Sequence, residues 1–281
     1  MGSQPLVSVC IPAYNNEHFI GFTLESVLNQ TYSNFEIIVT DDASTDGTVS
    51  VVKSFSDSRI RLVQNQANLG IGGNWNKALS CAGGKYVKLL CADDAVYPDC
   101  FCRQAEILED PSNARVVLAI CNSNVIDADN KIILRRKSRF GPGQISGKKL
   151  IRNCVRWGTN RIGEPVVGLF RRDVLPKSGM FDPRNPYMID LVFWAALLKH
   201  GDAFIDDRRL AAFRISASAV STRVGLRQAA YFRRFIRQVQ MDPVYRASRL
   251  DVLMGSFLSF QWCILRNLLI KLRARKKSRN K

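Results

Sequence analysis

Short apolar runs alternate with helix-forming stretches along the first third of the chain. Strands are predicted at residues 6–11, 35–39, 60–64 and 86–90. Helices are predicted between them, at about 17–30, after Gly47, and at 74–81. Strands that alternate with helices in this way usually form a parallel sheet covered by the helices. The pattern therefore predicts an α/β fold with a doubly wound, mostly parallel sheet.

The rest of the chain is less regular. Helices are predicted at about 98–108 and 189–200, a hairpin turn at 127–130, a loop at 140–143, and strands at 115–121, 166–170 and 211–215. Residues 252–265 form an apolar run that is shorter than the about 20 residues of a membrane-spanning helix. We therefore expect one α/β domain over 1–218, divided near residue 95 into two halves, and a helical basic extension over 219–281.

Charge is concentrated in this extension. The chain carries a net charge of +17, and residues 221–281 account for +13 of it. An apolar helix followed by a run of lysines and arginines is typical of a peripheral contact with an anionic membrane, where each basic residue contributes about 1 kcal/mol. The alternative is a helix packed on the domain with a basic end. No recognition module accompanies the charge, so we expect no nucleic-acid partner.

The eight cysteines include no CxxC pair, and most lie in apolar surroundings. Such cysteines are typically buried free thiols, which suits a reducing compartment. No basic segment followed by an apolar segment begins the chain, so a secretory signal is not predicted. These features predict a cytoplasmic protein, acting at the inner face of the cell membrane if the basic extension binds there.

Paired carboxylates follow two of the predicted strands. Asp41 and Asp42 end the second strand, and Asp93 and Asp94 follow the fourth. The carboxyl ends of parallel strands form the usual ligand-binding edge of an open α/β sheet. Carboxylate oxygens there suit a hard divalent cation that takes its other ligands from substrate phosphates. The alternatives are a solvated acidic loop at 93–94 and simple helix capping by Asp42 and Ser44.

Four ordered motifs resemble the nucleotide-sugar half of the family 2 glycosyltransferases, which have the GT-A fold. They are VCIPAYN at 9–15, IVTDDASTDGT at 38–48, NLGIGGNWN at 68–76, and Asp93-Asp94. The resemblance implies a Rossmann-like sheet flanked by helices, with a nucleotide-binding half over about 1–95 and an acceptor-binding half over 96–218. It also implies an inverting, metal-dependent transfer from a nucleoside-diphosphate sugar, expected to be UDP-linked, to a hydroxyl of a glycan or lipid-linked acceptor in polysaccharide assembly.

The resemblance assigns the donor site to the first half of the chain. Asp41 or Asp42 would accept the ring N–H of uracil, and the sequence does not distinguish the two. Asp94, with Asp93, would hold Mg²⁺ or Mn²⁺ on the diphosphate, although Cys91 replaces the family's leading acid. The remaining nucleotide-sugar contacts are expected from Pro12, Ala13, Tyr14, Asn15, Asn68, Gly70, Asn76 and Asp93.

The acceptor side is expected in the second half. Asp190, in the stretch PYMIDLVFW at 186–194, matches the family's general base, although Ile189 replaces the usual Glu. A helix-stabilising role for a first-turn Asp is the alternative. Arg161 and Glu164 lie in a polar loop and are candidates for acceptor or sugar contacts, or for a salt bridge without a catalytic role. Relatives often carry a His near 213–218, and Arg214 is the candidate to replace it.

Two other functions are compatible with parts of this pattern. A nucleotidyltransferase could share the sheet and the cation, and it would release pyrophosphate from a nucleoside triphosphate. A non-catalytic, membrane-associated binding module would use the same carboxylates only for capping and solvation.

Overall fold

A computed structural model of the chain describes residues 6–185, 187–215 and 227–279. The strands are β1 (Val7–Ala13), β2 (Phe35–Asp41), β3 (Ile60–Gln64), β4 (Tyr86–Leu89), β5 (Ala95–Val96), β6 (Val116–Ile126), β7 (Ile132–Arg135), β8 (Gly143–Ile145), β9 (Gly168–Arg171) and β10 (Asp202–Arg214). The helices are α1 (Ile20–Leu28), α2 (Thr48–Lys53), α3 (Gly70–Ser80), α4 (Cys100–Glu109), α5 (Gly147–Trp157), α6 (Leu175–Ser178), α7 (Ile189–Leu197), α8 (Gln228–Met241) and α9 (Arg249–Arg279).

One sheet runs through the domain in the order β3-β2-β1-β4-β9-β6-β10-β5. Strands β1 to β4 pair in parallel, as predicted, and β10 is parallel to β6. β9 lies between β4 and β6 and is antiparallel to both, so the second half of the sheet is mixed. Because of this reversal, the carboxyl ends of β1, β2, β4, β6 and β10 meet the amino end of β9 at one edge.

The central strands β1 and β2 are buried along almost their whole length. Every residue of β1 and all but one of β2 are buried, as expected of parallel strands covered on both faces. Ser8 is the polar exception in β1, and its hydroxyl donates to the Glu36 carboxylate at 2.6 Å. All eight cysteines are free, and five of them are buried, as their sequence surroundings predicted.

Several elements differ from the prediction. α5 was not predicted, β10 begins nine residues before the expected strand, and α3 begins at Gly70 rather than near Asn74. The expected strand at 166–170 is a 3-10 turn at Pro165–Val167 followed by β9. The predicted domain boundary at 218/219 lies outside the described residues, as do Pro186 of the 186–194 stretch and the last two residues of the basic end.

The C-terminal helix α9 packs on α5 and α8 through a stripe of small or polar residues, Asp251, Gly255, Ser259 and Cys263. An ideal Cβ on Gly255 would lie 1.8 Å from the carbonyl oxygen of Val155, so only glycine permits this approach. Large apolar residues on α9 face outward instead: Leu250, Leu253, Phe257, Phe260 and Ile264. Within the described part of the chain, no helix has the length and apolarity needed to cross a bilayer.

Candidate active site

Asp42 organises the start of helix α3. Its carboxylate accepts hydrogen bonds from the backbone N–H of Leu69 (2.8 Å) and Gly70 (3.0 Å) and from Nδ2 of Asn65 (2.9 Å). Asn68 Nδ2 donates to the Asp42 carbonyl oxygen at 3.1 Å. The alternative that Asp42 caps the next helix, α2, is therefore wrong, because the groups that it binds precede and begin α3. Its side chain is buried and fully engaged with the protein.

Asp41 is buried in the same way but is only half engaged. Its Oδ2 accepts from the backbone N–H of Ser44 at 3.1 Å, across a turn in which Ala43 has φ +59°. Its Oδ1 is buried and has no hydrogen-bond partner among the described residues. A buried carboxylate oxygen without a partner is costly unless a ligand supplies a donor. Of the two candidates for the base contact, Asp41 alone has a free acceptor.

The loop after β1 is tied to the loop after β2. Asn15, with φ +51°, donates its N–H to Ser44 Oγ at 3.0 Å and accepts from the Thr45 N–H at 2.8 Å. At the end of β1, where Pro12 and Ala13 lie, the Ala13 carbonyl accepts from the Asp42 N–H at 2.9 Å. Tyr14, the residue after Ala13 in the first of these loops, is 47% exposed. The structure thus holds an exposed aromatic residue next to Ala13, which pairs with Asp41 in the sheet.

The two asparagines of α3, Asn74 and Asn76, bind different parts of the protein. Asn74 is buried, and its Nδ2 donates to the carbonyl oxygens of Ala13 and Thr40, which joins α3 to β1 and β2. Asn76 instead exchanges two hydrogen bonds with the backbone of Phe181, at 2.8 and 3.0 Å. Asn74 is therefore the residue of this motif that shapes the nucleotide edge, and the side-chain amide of Asn76 binds a different loop.

Asp93 and Asp94 follow β4 at the same edge. Asp94 Oδ1 accepts from the Arg214 N–H at 2.9 Å, while its buried Oδ2 has no partner in the described part of the chain. Thr23 Oγ1 fixes the turn by donating to the carbonyls of Ala92 and Asp94. Burial raises the pKa of Asp94 well above its usual range, and the neighbouring Asp93 raises it further. Burial also raises the pKa of Asp93, which remains partly exposed.

These two carboxylates suit a divalent cation whose coordination is completed by a substrate. Among the described residues, no three His, Cys, Asp or Glu side chains cluster as a preformed metal site. The unpartnered Asp94 Oδ2 and the raised pKa values are what an added positive charge would relieve. Mg²⁺ in particular commonly uses one or two carboxylates and takes the rest of its ligands from phosphates and water.

Arg214 is buried and engaged with the protein. Its guanidinium donates to the carbonyls of Asp93 (2.8 Å) and Asp127 (2.5 Å) and to Asn130 Oδ1 (2.7 Å). It also lies 4.7 Å from the ring centre of Phe19. Burial lowers its pKa, which the carboxylates of Asp93 and Asp94 oppose. The expected contact with a diphosphate would therefore be indirect, through the turn that Arg214 holds.

Asp190 lies in the first turn of α7. Its Oδ2 accepts from Asn160 Nδ2 at 3.0 Å, and its Oδ1 accepts from the Leu191 N–H at 2.7 Å. Removal from water raises the pKa of Asp190 to about 7, the nearby Glu164 charge adds to this, and the hydrogen bond from Asn160 opposes it. A carboxylate with such a pKa can take a proton near neutral pH.

Glu164 lies within electrostatic reach of both Asp94 and Asp190. Arg136 pairs with its Oε1, and its buried Oε2 has no partner in the residues described. Its charge raises the pKa values of both Asp94 and Asp190. Burial raises the pKa of the Cys91 thiol strongly. The negative charges that raise this pKa further are, in decreasing order of effect, those of Asp94, Asp93, Asp190 and Glu164. The charges of four carboxylates, at positions 93, 94, 164 and 190, therefore act on one thiol.

Arg161 points into an aromatic niche. Its guanidinium carbon lies 5.1 Å from the ring centre of Trp157 and 5.6 Å from that of Phe140. Its buried Nε has no acceptor among the described side chains and backbone. The neighbouring Asn160, which binds Asp190, was not singled out from the sequence; its place in a polar loop beside a glycine was the available signal.

The fold and the site are those of a glycosyltransferase. The family model described as Glycosyl transferase family 2 matches residues 8–178, more than half of the chain. The chain belongs to this family, and it is an enzyme that transfers a sugar from a nucleotide-sugar donor.

One curated relative, from Escherichia coli, is UDP-Glc:alpha-D-GlcNAc-diphosphoundecaprenol beta-1,3-glucosyltransferase WfgD. It is 33% identical over 77% of this chain and 80% of its own length. The crystal structure of S. aureus TarS 1–349 in complex with UDP-GlcNAc has a TM-score of 0.69 and 17% identity, over 84% of this chain and 67% of that one. The mannosyltransferase PcManGT from Pyrobaculum calidifontis, in complex with GDP-Man and Mn²⁺, has a TM-score of 0.63 and 19% identity, over 98% of this chain and 76% of that one.

Proposed function

We propose that this glycosyltransferase moves a sugar, with inversion, from a UDP-sugar to a hydroxyl of a lipid-linked acceptor in polysaccharide assembly. The observation that carries the proposal is that Asp93, Asp94, Glu164 and Asp190 lie close enough to Cys91 for their charges to raise its pKa. Two of these carboxylates, Asp94 and Glu164, retain buried oxygens without partners among the described residues. An arrangement of this kind favours a cation and a developing charge over a purely structural role.

For the donor, Asp41 Oδ1 would accept the N–H of a uracil ring that lies on the exposed face of Tyr14. The loop held by Asn15 and the end of β1 at Pro12 and Ala13 would form the wall of this site. The name of the Escherichia coli relative includes UDP-Glc, which supports UDP as the nucleotide. Asn68 and Gly70 would contribute indirectly, because they support the Asp42 backbone and carboxylate.

Asp94, assisted by Asp93, would hold Mg²⁺ or Mn²⁺ at the donor diphosphate. Such a cation stabilises negative charge on a departing diphosphate. The mannosyltransferase PcManGT forms a complex with GDP-Man and Mn²⁺, which supports a divalent cation in this fold. Arg214 would keep the Asp93–Asp94 turn in place through its backbone N–H and its guanidinium.

For the acceptor, Asp190 would act as the general base. As the acceptor oxygen attacks the anomeric carbon, its proton passes to an oxygen of Asp190, and the bond from that carbon to the diphosphate oxygen breaks on the opposite face. One such displacement inverts the configuration. Asn160 fixes the orientation of the Asp190 carboxylate, and the pKa of about 7 lets the carboxylate accept a proton at neutral pH.

The C-terminal helix α9 would bind the inner face of the cell membrane. Its outward stripe of Leu253, Phe257, Phe260 and Ile264 is 48–69% exposed, and the sequence beyond it is strongly basic. Apolar insertion together with attraction to anionic lipids gives reversible peripheral binding. The acceptor in the name of the Escherichia coli relative is undecaprenol-linked, which supports a membrane location for the reaction.

The test combines donor binding with product analysis. Thermal shifts with a panel of nucleoside diphosphates and sugar nucleotides, with and without Mn²⁺, should show the largest stabilisation by UDP compounds plus the cation. Turnover of a UDP-sugar should release UDP. Turnover of a nucleoside triphosphate with release of pyrophosphate would instead indicate a nucleotidyltransferase, and binding without turnover under all conditions would indicate a binding module.

A further inference from the structure

A cavity of about 510 Å³ lies at the end of the sheet opposite the catalytic edge. Its lining residues are Lys85, Arg171, Arg172, Asp173 and Pro176. Strand pairing explains this position, because β4 and β9 are antiparallel and Tyr86 lies opposite Arg171. The Arg172 N–H then donates to the Lys85 carbonyl oxygen at 3.0 Å. Lys85 precedes the amino end of β4, whereas the carboxylates at 93–94 follow its carboxyl end. The cavity is therefore separate from the expected donor and acceptor sites.

The two arginines of this cavity are oriented by neutral groups only. Arg171 donates from Nε to the Val116 carbonyl oxygen at 2.7 Å and from Nη2 to the Leu108 carbonyl oxygen. Arg172 donates from Nε to the Gly84 carbonyl oxygen at 2.6 Å, and its two Nη groups have no acceptor in the described part of the chain. Carbonyl groups fix the direction of a guanidinium but do not neutralise it. The positive charge of both side chains therefore remains available to an anion, which would form charge-assisted hydrogen bonds.

The other lining residues narrow the class of ligand. Lys85 forms an ion pair with Glu109 at 2.5 Å, so its charge is largely compensated. Asp173 is exposed, and its carboxylate forms no ion pair with a described residue. This carboxylate would repel a bare anion, but it can accept hydrogen bonds from hydroxyl groups. The volume lies within the range of about 300–1,000 Å³ for small-molecule sites, so there is room for more than a single phosphate. The lining thus favours a ligand that carries both an anionic group and hydroxyl groups.

We propose that this cavity binds a sugar phosphate, with the phosphate group on Arg171 and Arg172 and a hydroxyl group on Asp173. A guanidinium presents its N–H groups in a planar fork that matches the oxygens of a phosphate. The two Nη groups of Arg172 supply such a fork, and the charge of Arg171 lines the same cavity. Binding here needs no divalent cation and does not depend on the proposed donor and acceptor sites.

Calorimetric titration of the full chain with glucose-6-phosphate tests the proposal, in the presence of EDTA so that no cation occupies the turn at 93–94. Glucose and inorganic phosphate are the comparison ligands, and both should bind at least about tenfold more weakly, because each lacks one of the two recognised groups. Arg172→Gln should weaken glucose-6-phosphate binding about tenfold or more, the size expected for a hydrogen bond to a charged group. Arg172→Lys keeps the charge without the fork and should weaken binding less. Lys177→Gln, at an exposed position of α6 outside the lining, removes the same charge and is the matched control, with a change of about twofold or less.

Asp173→Ala separates the two parts of the ligand. Glucose-6-phosphate affinity should fall about three- to tenfold, as for a lost hydrogen bond, while inorganic phosphate affinity should stay the same or rise because a repulsive charge is gone. If Arg172→Gln lowers the melting temperature, Arg172→Lys and Asp173→Ala still decide.

Three results would overturn the proposal. One is an equal loss in Lys177→Gln and Arg172→Gln, which would assign binding to the general positive surface. Another is inorganic phosphate binding as tight as that of glucose-6-phosphate, which would remove the role of the hydroxyl groups. The third comes from vesicles of phosphatidylcholine with and without phosphatidic acid. Vesicle binding that needs phosphatidic acid and Arg172, without binding of free glucose-6-phosphate, would assign the cavity to a lipid headgroup.

Discussion

The expected donor and acceptor halves of the site differ in the kind of buried polar group that the protein leaves without a partner. On the expected donor side, Asp42 and Asn15 hold the loops after β1 and β2 in one arrangement, and Asp41 Oδ1 and Asp94 Oδ2 are buried without partners among the described groups. On the acceptor side, Glu164 Oε2 and Arg161 Nε are buried without partners among the described groups. The comparison indicates that the donor side is suited to an N–H donor and a cation, whereas the acceptor side offers both a hydrogen-bond acceptor and a cationic donor.

The largest expected effect is at Asp190. Asp190→Asn keeps the size of the side chain but cannot take a proton, so transfer should fall about 10²–10⁴-fold, the range for a positioned general base. UDP affinity should not change, because the donor loops do not depend on Asp190. Steady-state rates and UDP titrations on the same preparation measure both. Equal loss of UDP binding would remove the distinction between the two halves.

Asp41 and Asp42 should respond in opposite ways to the same substitution. Asp41→Asn removes an acceptor for the base and should weaken UDP binding about 10–100-fold, as expected for a lost hydrogen bond to a charged group, with little loss of stability. Asp42→Asn disturbs the start of α3 and should lower the free energy of unfolding by about 1–3 kcal/mol. Calorimetric binding and denaturant unfolding separate the two effects. The reverse pattern would make Asp42 the base contact.

The pH dependence of transfer tests the environment of Asp190. Because the base form is deprotonated and its pKa is raised to about 7, the rate should rise with pH and level off above about 7. Asn160→Ala removes a hydrogen bond that favours the charged carboxylate, so the profile should move to higher pH by about one unit or less. Asn68→Ala, on the donor side, is the control and should leave the profile in place.

The smallest effect is on stability. The pKa of Asp190 is about 7 in the folded protein and near 4 in the unfolded chain. The contribution of Asp190 to folding stability is therefore fully present below pH 4 and is lost as the pH rises to about 7. Asp190→Asn should therefore raise the free energy of unfolding by about 1–2 kcal/mol above pH 7 and by less at pH 4. Urea unfolding at the two pH values measures the difference. An equal change in the free energy of unfolding at both pH values would mean that folding does not shift the pKa of the Asp190 carboxylate.

Local pattern predicted the first half of the fold well, because parallel strands are apolar throughout and end at recognisable polar turns. The strand at Ile60–Gln64 has the predicted bounds, and β4 differs by one residue. Helix α5 was missed although Leu150, Ile151, Cys154 and Val155 repeat at helical spacing, because its charged residues and flanking glycines made the segment look like a loop. The antiparallel β9 follows from tertiary pairing with β4 and β6, which no local pattern contains.

For the site, the sequence identified Asp93, Asp94 and Asp190 as candidates, and their roles stay predictions. It could not separate Asp41 from Asp42, because adjacent carboxylates look alike until their hydrogen-bond partners are known. Asn160 and Arg136 escaped notice for a related reason. Their importance lies in which carboxylate each one binds, and those carboxylates are 28 or more positions away along the chain.

The reversal of β9 has a consequence for how such an enzyme diversifies. The loop that precedes β9 enters the catalytic edge from the opposite direction to the loops that follow β1, β2 and β4. Under the proposed function, insertions or exchanges in that loop should change which alcohol is glycosylated, while Asp42 and Asn15 keep the loops after β1 and β2 in place. We therefore expect that grafting this loop between relatives would exchange acceptor preference and yield new linkages.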